Sequence, residues 1–159
     1  MSPTLSGVII VASDRVHSGE RVDKAGPLAR ELLAEVGVDA PVVIVEEGLD
    51  AVSAALADAR AAGHRVILTV GGTGLGPRNQ TPEATAPLLE VTLTGLMTQV
   101  LVEGLSHSPH AGLSRALIGL TGRGAADALI VNSPSSTGAV RDTLGVVLPL
   151  LPNIFERLG

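Results

Sequence analysis

The stretch that decides the fold is Val66–Thr85, which reads VILTVGGTGLGPRNQTPEAT. Its first residues are apolar or β-branched, which is typical of a strand buried on both faces of a parallel sheet. The glycines of Gly71–Gly74 then open a loop, because a residue without Cβ tolerates positive φ and a close backbone approach. Thr81 and Pro82 predict a short helix, since Thr is a good cap and Pro suits the first helical position.

The chain before this stretch alternates strands with helices. Gly7–Ala12 and Val42–Val45 are rich in β-branched residues and predict two further buried strands. Apolar residues recur at helical spacing over residues 23–37, with Pro27 near the first turn and a glycine at the end. A second helix is predicted over residues 50–63, because Asp is a good cap and Gly commonly ends a helix.

The chain after it continues the alternation. A helix is predicted at Leu93–Leu105, strands at Ser114–Leu120 and Ala128–Val131, and a terminal helix at Asp142–Leu158 that prolines interrupt. Strands alternating with helices predict an α/β fold with a mostly parallel sheet and helices on both faces. We find no repeat, linker or low-complexity tract, and we expect residues 1–159 to form one domain.

The composition excludes several functional classes. The chain has one Phe and no Trp or Tyr, so it lacks aromatic platforms on which single-stranded nucleic acid stacks. A net charge of −5 also argues against a nucleic-acid partner. The absence of cysteine excludes disulfides and thiolate metal sites. With no leader pattern in the first residues and only strand-sized apolar runs, we expect a cytoplasmic protein without a membrane partner.

Polar segments follow several of the predicted strands. Ser13–Arg15, Gly71–Thr85 and Asn132–Gly138 each come after an apolar run. Ligands of open α/β sheets bind outside the carboxyl ends of the strands. If those strands are neighbours, the segments converge on one edge of the sheet and form a single site.

The glycine-rich loop has the character of an anion site. A strand, a glycine-rich loop and a helix N-terminus together present backbone N–H groups to a ligand. A tight turn without a ligand is the alternative for the glycines alone. The loop lacks the Gly-Lys-Ser/Thr of a P-loop and the Gly-x-Gly-x-x-Gly of dinucleotide-binding folds. The hydroxyls of Asn132–Gly138 suggest either a phosphate contact or the cap of the next helix.

A few charged side chains flank these loops. Arg15, Arg78 and Arg115 are candidates to clamp phosphate, and solvated arginines are the alternative. Glu46 and Glu47 follow the second strand, where they either bind a metal ion or mark an exposed strand end. The histidines are scattered, and a surface loop is the favoured interpretation of the pair around residues 107–110.

The long middle motif resembles the signature of the MoaB/Mog family, which is shared with the molybdopterin-binding domains of larger cofactor-inserting proteins. The pattern is Gly-Gly-Thr-Gly-x-x-Pro-Arg-x-x-Thr-Pro-Glu-Ala-Thr at Gly71–Thr85. Shorter pieces follow the family order at 13–15, 23–28, 113–115 and 132–134, so the resemblance covers nearly the whole chain.

The resemblance implies a three-layer α/β/α fold, usually a homotrimer, that binds molybdopterin through its terminal phosphate and its pterin. Other cofactor-biosynthesis proteins are possible partners. Adenylyltransferase members activate molybdopterin with Mg-ATP and release pyrophosphate. The ligand-binding residues implied here are Ser13, Asp14, Gly71, Gly72, Thr73, Gly74, Arg78, Thr81, Pro82, Glu83, Ser114, Arg115, Asn132, Ser133, Pro134, Ser135 and Gly138.

The implied catalytic residues depart from the family pattern. Asn79 stands where the motif usually has Asp, and its amide keeps the shape but loses the charge. The acid after the second strand is usually Asp, and Glu46 or Glu47 takes that place, with Glu47 as the candidate ligand for Mg²⁺. The last loop has Pro134-Ser135 where Pro-Gly is usual. The alternative function is therefore a molybdopterin-binding or assembly protein that has lost turnover.

Overall fold

A computed structural model describes residues 5–159. The prediction that the first residues lack a leader pattern falls partly on residues 1–4, which lie outside the described residues. The strands are β1 Leu5–Ala12, β2 Val38–Asp39, β3 Val42–Val45, β4 Val66–Val70, β5 Val91–Thr92, β6 Ile118–Leu120 and β7 Leu129–Ser133. The helices are α1 Asp14–His17, α2 Ala25–Glu35, α3 Leu49–Ala61, α4 Thr81–Thr85, α5 Thr94–Leu105, α6 Thr137–Val147 and α7 Leu151–Glu156. Short 3₁₀ turns lie at Ala86–Leu88, Pro109–Leu113 and Leu148–Leu150.

The strands form one mixed sheet in the order β2-β1-β4-β7-β6-β5, and β3 also pairs with β1. β1 pairs in parallel with β2, β3 and β4, and β4 pairs in parallel with β7. β6 pairs antiparallel with both β5 and β7, which the sequence did not predict. The predicted mostly parallel sheet is therefore confirmed, with an antiparallel edge added.

Both faces of the sheet are covered, which confirms the α/β fold with helices on both sides. Ile9 and Val11 of β1 pack with α2 and α6 residues in one hydrophobic cluster. Val8 and Ile10 point to the other face and pack with Val52 and Leu56 of α3. This double burial explains why β1 is a continuous apolar run without polar alternation.

Several elements differ from their predicted bounds, and three of these differences affect the loops around the strand ends. Only the last part of Ser114–Leu120 is a strand, because the amide of Arg115 donates to the Thr73 carbonyl instead of to a sheet partner. β7 extends through Ser133, so Asn132 and Ser133 lie in the strand and not in the following loop. The terminal helix begins earlier, at Thr137, and a 3₁₀ turn that contains a proline separates it from α7.

Several short elements were missed. β2 and β5 have two residues each, which is too short for a periodic pattern. α1 was expected to be loop, but the Ser13 hydroxyl accepts from the Val16 amide and caps a single helical turn. No helix within residues 5–159 combines the length and the apolar character that crossing a membrane requires.

Candidate functional site

The predicted convergence of loops is confirmed, because β1, β4 and β7 are adjacent and parallel. β3 adds a fourth strand end, since Ala12 of β1 is in register with Val45. Main-chain hydrogen bonds join these ends: the Ser13 amide donates to the Val45 carbonyl at 3.0 Å, and the Gly71 amide donates to the Ser133 carbonyl at 2.9 Å. The segments after these strands therefore meet at one edge of the sheet.

The glycine-rich loop is closed by its own helix. Gly71 and Gly72 have φ values of 99° and 72°, which side chains rarely adopt. A Cβ at Gly71 would collide with the Ala12 carbonyl, and one at Gly72 would collide with the Thr81 hydroxyl. That hydroxyl donates to the Gly71 carbonyl at 3.0 Å, and the Thr81 amide donates to the Gly72 carbonyl at 3.1 Å. Internal packing alone therefore requires both glycines.

Thr81 consequently has a different role from the predicted cap. Helix α4 begins at Thr81 itself, with Gln80 in the cap position and Pro82 in the first turn. The Thr81 side chain points back into the loop, where it is buried with Pro82. Thr81 and Pro82 therefore shape the loop from within, and Glu83 is the first exposed side chain of α4.

Arg78 joins three strand ends. Its Nε and Nη2 donate to the two carboxylate oxygens of Asp14 at 2.7 and 2.9 Å. Nη2 also donates to the Glu47 carbonyl at 2.9 Å, and the Glu47 amide donates to Asp14 at 3.2 Å. The hydrogen bond from Arg78 lowers the pKa of Asp14 below its ordinary value, and the same bond raises the pKa of Arg78. Arg78 is thus already paired with a carboxylate at the point where it was expected to clamp phosphate.

Glu47 and Asn79 come together beside the glycine-rich loop. The Asn79 Nδ2 donates to Glu47 Oε1 at 2.7 Å, and Asn79 Oδ1 accepts from the Gly76 amide at 2.9 Å. Glu46 instead lies exposed, with Oε1 at 3.8 Å from Nδ1 of His17. Of the two candidate acids, Glu47 is therefore the one beside the glycine-rich loop.

Arg115 binds the other side of the loop. Its Nε donates to the Gly74 carbonyl at 2.9 Å, and Nη2 donates to the Asn79 carbonyl at 2.7 Å. Glu83 accepts from Nη1 at 2.6 Å and from Nη2 at 3.1 Å. This hydrogen bonding lowers the pKa of Glu83. The third candidate, Arg15, lies outside this network, 3.9 Å from Glu20.

The segment after β7 divides into buried and exposed parts. Asn132 is buried, and its side-chain Nδ2 donates to the hydroxyls of Thr69 at 2.9 Å and Thr85 at 3.1 Å. Its Oδ1 accepts from the Leu117 amide at 3.0 Å, so the side chain supports the site from beneath. Ser133 is also buried and donates to the Pro134 carbonyl.

The exposed part of this segment lies at the start of α6. The Ser136 hydroxyl accepts from the Ala139 amide at 3.0 Å, which confirms a helix cap in this segment. Ser135 and Gly138 are exposed beside that cap. Pro134 is half-buried at the strand end. Ser114 lies next to the loop, with its hydroxyl 3.5 Å from that of Thr73.

Sequence reasoning missed three features of the site. Thr69 and Thr85 hold Asn132 from beneath, and the signal for Thr69 was a hydroxyl inside an otherwise aliphatic strand. Leu75 at the loop tip is 70% exposed, so the loop presents an aliphatic surface next to its polar backbone. The signal available in the sequence was a leucine between two glycines of the motif.

A ligand can therefore reach only some of the candidate site residues. The buried members are Gly71, Gly72, Thr73, Thr81, Pro82, Asn132 and Ser133, which shape the loops. The half-buried or exposed members are Ser13, Asp14, Glu47, Gly74, Arg78, Asn79, Glu83, Ser114, Arg115, Pro134, Ser135 and Gly138. A glycine-rich loop, accessible hydroxyls and a helix N-terminus near paired charges suit a polar, phosphorylated ligand.

Solved structures of similar chains share this fold. A protein from Corynebacterium diphtheriae, whose name assigns it to molybdenum cofactor biosynthesis, is 45% identical with a TM-score of 0.90, and 97% of each chain is covered. A molybdopterin biosynthesis protein from Mycobacterium abscessus is 38% identical with a TM-score of 0.89, over 98% of this chain and 97% of that one.

Curated relatives include a protein of similar length and much longer proteins. Molybdenum cofactor biosynthesis protein B of Staphylococcus carnosus is 35% identical, over 86% of this chain and 81% of its own length. Gephyrin of Dictyostelium discoideum is 32% identical over 91% of this chain, which spans 21% of gephyrin's length. The chain spans 49% of the bifunctional cofactor protein of Synechococcus elongatus.

The family described as "Probable molybdopterin binding domain" matches residues 8–153. This match includes all the strand ends and loops that meet at the candidate site. The chain therefore belongs to the molybdopterin-binding domain family that includes the MoaB and Mog proteins.

Proposed function

We propose that this chain acts in molybdenum cofactor biosynthesis, where it binds molybdopterin and adenylylates it with Mg-ATP in the cytoplasm. Relatives from Pyrococcus furiosus and Helicobacter pylori, 33% and 29% identical, carry the name molybdopterin adenylyltransferase. The observation that carries the proposal is the Glu47–Asn79 pair beside the glycine-rich loop. This pair supports the proposal, because it brings a carboxylate beside the loop against which we expect phosphate groups to lie.

The reaction requires positioning more than covalent chemistry by the protein. A terminal phosphate oxygen of molybdopterin attacks the α-phosphorus of ATP, a new P–O bond forms, and the bond to the β-phosphate oxygen breaks. Pyrophosphate leaves with that electron pair. The part of the glycine-rich loop from Gly74 onward and the N-terminus of α6 would lie against phosphate oxygens, because backbone N–H groups there carry a positive partial charge.

The residues present suit a magnesium ion that is held mainly by substrate. Mg²⁺ commonly binds one or two carboxylates together with substrate phosphates. Glu47 supplies a carboxylate, whereas the carboxylate of Asp14 is already paired with Arg78. Bound magnesium would neutralise phosphate charge during transfer. Glu47 is the residue that would hold it, and the Asn79 amide would orient Glu47.

The test compares Glu47→Gln with the matched control Glu46→Gln, using molybdopterin and Mg-ATP and following pyrophosphate release. Glu47→Gln is expected to reduce turnover at least ~10-fold, equivalent to about 1.4 kcal/mol in the barrier, while molybdopterin affinity stays near the native value. Glu46→Gln should behave as the native protein, because Glu46 lies outside the network. Equal turnover in all three proteins would refute the role of Glu47.

The second candidate function is binding without turnover. The neutral side chain of Asn79 beside Glu47 favours it, because an amide adds no negative charge with which to hold a cation. The same assay separates the candidates. Tight molybdopterin binding with no pyrophosphate release by the native protein would establish a binding or assembly role.

A further inference from the structure

A second group of metal-ligating side chains lies outside the candidate site, where the end of α5 meets α6. It consists of Glu103, His107 and Asp142, whose ligand atoms all lie within 4.8 Å of one another. Nδ1 of His107 lies 3.1 Å from Oδ1 of Asp142. One imidazole and two carboxylates form a mixed nitrogen and oxygen ligand set.

Local structure explains why these side chains meet. Glu103 and His107 are four residues apart, which places them on the same helical face. The helical turn continues past the end of α5, because the amides of His107 and Ser108 both donate to the Gly104 carbonyl. α6 packs against α5 and brings Asp142 to this face, with its side chain 18% exposed.

The spacing suits a small divalent cation. Zinc lies about 2.0–2.2 Å from nitrogen and oxygen ligands, so its ligand atoms are roughly 3–3.5 Å apart. The His107–Asp142 distance already has this value. Glu103 and His107 are exposed side chains, so a rotation of either can close the remaining gap without moving the backbone.

The charges also favour a cation. Two carboxylates bring formal negative charge to the cluster, which attracts a cation. The last carbonyl groups of a helix add negative partial charge near its C-terminus, where His107 lies. An imidazole ligand favours zinc-class ions over Mg²⁺ and Ca²⁺, which prefer all-oxygen sites.

We propose that Glu103, His107 and Asp142 bind a divalent transition-metal ion of the Zn²⁺ class, with water in the remaining positions. The bound ion joins the end of α5 to α6. Because two of its ligands belong to one helix and one to the other, it restrains the packing of these helices. This cluster does not include Glu47 or Asn79. The proposal of a metal site here is therefore independent of the reaction proposed at that pair.

The test uses Co²⁺ as a coloured substitute for Zn²⁺, added to the full chain after treatment with a chelator. His107→Gln and Asp142→Asn are each expected to weaken Co²⁺ binding at least ~10-fold, equivalent to about 1.4 kcal/mol. The matched control is His110→Gln, which replaces an exposed histidine three positions along the chain and should leave the affinity unchanged. Zn²⁺ should displace Co²⁺, and excess Mg²⁺ should not.

Further variants distinguish this cluster from the candidate functional site. Glu47→Gln should keep the Co²⁺ absorption, so loss of colour in that variant would assign the ion to the candidate site and overturn the proposal. Native affinity in His107→Gln would also overturn it. Circular dichroism checks folding, and His107→Gln decides the outcome if Asp142→Asn does not fold, because His107 is exposed. The chain has no cysteine, so thiolate ligands cannot produce the signal.

Discussion

At the scale of single residues, the site is defined by pairs that are distant in sequence. Arg78 pairs with Asp14, and Arg115 pairs with Glu83. The sequence indicated that all four residues lie near the crevice, since each flanks a loop that follows a strand. It could not indicate the pairing, because an exposed arginine has the same local sequence signal whether it binds a carboxylate or a ligand. The arginines are therefore scaffold residues as well as candidates for phosphate contact.

Asn79 is the residue where a substitution is most informative. In Asn79→Asp, a carboxylate would replace the amide that donates to Glu47 at 2.7 Å, so two carboxylates would face each other. We expect a lower melting temperature in a chelator, because like charges repel. With Mg²⁺ present we expect tighter magnesium binding and faster adenylyl transfer, since the ion would lie between two carboxylates.

The measurements are thermal melts with and without Mg²⁺, together with turnover at saturating Mg-ATP. Asn79→Ala is the control, because it removes the hydrogen bond without adding charge. A melting temperature of Asn79→Asp that is insensitive to Mg²⁺ would contradict the idea that this place can hold the ion. Full native turnover with no gain in Asn79→Asp would mean that the amide is adequate for catalysis.

The Glu83–Arg115 pair predicts an acid-dependent contribution to stability. The hydrogen bonds that Arg115 donates to Glu83 lower the pKa of Glu83. The contribution of the pair to stability is therefore fully present above the ordinary carboxyl pKa. This contribution is lost as the pH falls below the ordinary carboxyl pKa and through the lowered pKa of Glu83. Because both side chains are more than a third exposed, the contribution should not exceed about 1 kcal/mol.

Urea unfolding of the native protein and Glu83→Gln between about pH 7 and pH 3 measures this contribution. The difference in unfolding free energy should shrink as the pH falls, since the native carboxylate becomes protonated. A difference that stays constant across the range would mean that the ionised form of Glu83 makes no contribution. Glu90→Gln is a suitable control, because Glu90 is an exposed acid outside the network.

At the scale of elements, the strand, loop and helix of Val66–Thr85 were predicted almost completely. The glycines indicated a loop with special backbone geometry, and Gly71 and Gly72 do have positive φ. The part that could not be predicted is how the loop is closed, because Thr81 was assigned as a cap and instead binds the Gly71 carbonyl. Similarly, Asn132 was expected to be in a loop, and its burial follows from the continued pairing of β7 with β4.

The closure of the loop gives a stability prediction. Thr81→Val keeps the shape of a buried side chain but removes the donor to the Gly71 carbonyl. We expect a loss of about 1–3 kcal/mol in the free energy of unfolding, because a buried acceptor loses its partner. The matched control is Thr98→Val in α5, where an exposed hydroxyl donates to the Thr94 carbonyl. It should change stability by no more than about 0.5 kcal/mol.

Chemical denaturation of both variants measures the difference. Equal losses of unfolding free energy in the two variants would show that the Thr81 hydrogen bond contributes no more to stability than the exposed one in α5. Gly72 is less suitable for such a test, because any side chain there collides with Thr81. A loss of molybdopterin affinity in Gly72→Val would therefore not separate ligand contact from a distorted loop.

At the scale of the whole molecule, the alternation of strands and helices in the sequence predicted the mostly parallel sheet. It did not predict the antiparallel edge that β5 and β6 form. Buried parallel strands have long aliphatic runs that are visible in sequence, as in β1 and β4. β5 and β6 are short, and Gly119 lies against the Val91 carbonyl with no room for a side chain. Their pairing depends on contacts between distant segments, which leave no periodic pattern in the chain.

The apolar surface of α5 is a candidate interface for the homotrimer that the resemblance implies. Val102 is 63% exposed, and Leu101, Leu105 and Leu113 are also exposed on or near this helix. Clustered exposed apolar residues commonly mark protein interfaces. We expect the mass of a trimer by light scattering at micromolar concentration. Val102→Glu should produce smaller species, because a carboxylate would be buried without a partner.

Val22→Glu is the control for this prediction, because Val22 is 78% exposed and lies in a different segment. It should leave the oligomer intact. A monomer mass for the native protein would refute the trimer, and equal dissociation by both substitutions would assign the effect to added charge instead of to α5.

The contacts that close the glycine-rich loop also affect how fast a ligand can bind. Thr81, Arg115 and Asn79 hold the loop backbone through hydrogen bonds within the protein itself. Ordering one residue of a mobile loop costs roughly 1–2 kcal/mol of conformational entropy, and here folding has already met that cost. Association can then proceed at the rate of diffusional encounter, without waiting for a loop rearrangement. In stopped-flow experiments the observed rate should consequently rise linearly with ligand concentration instead of reaching a plateau.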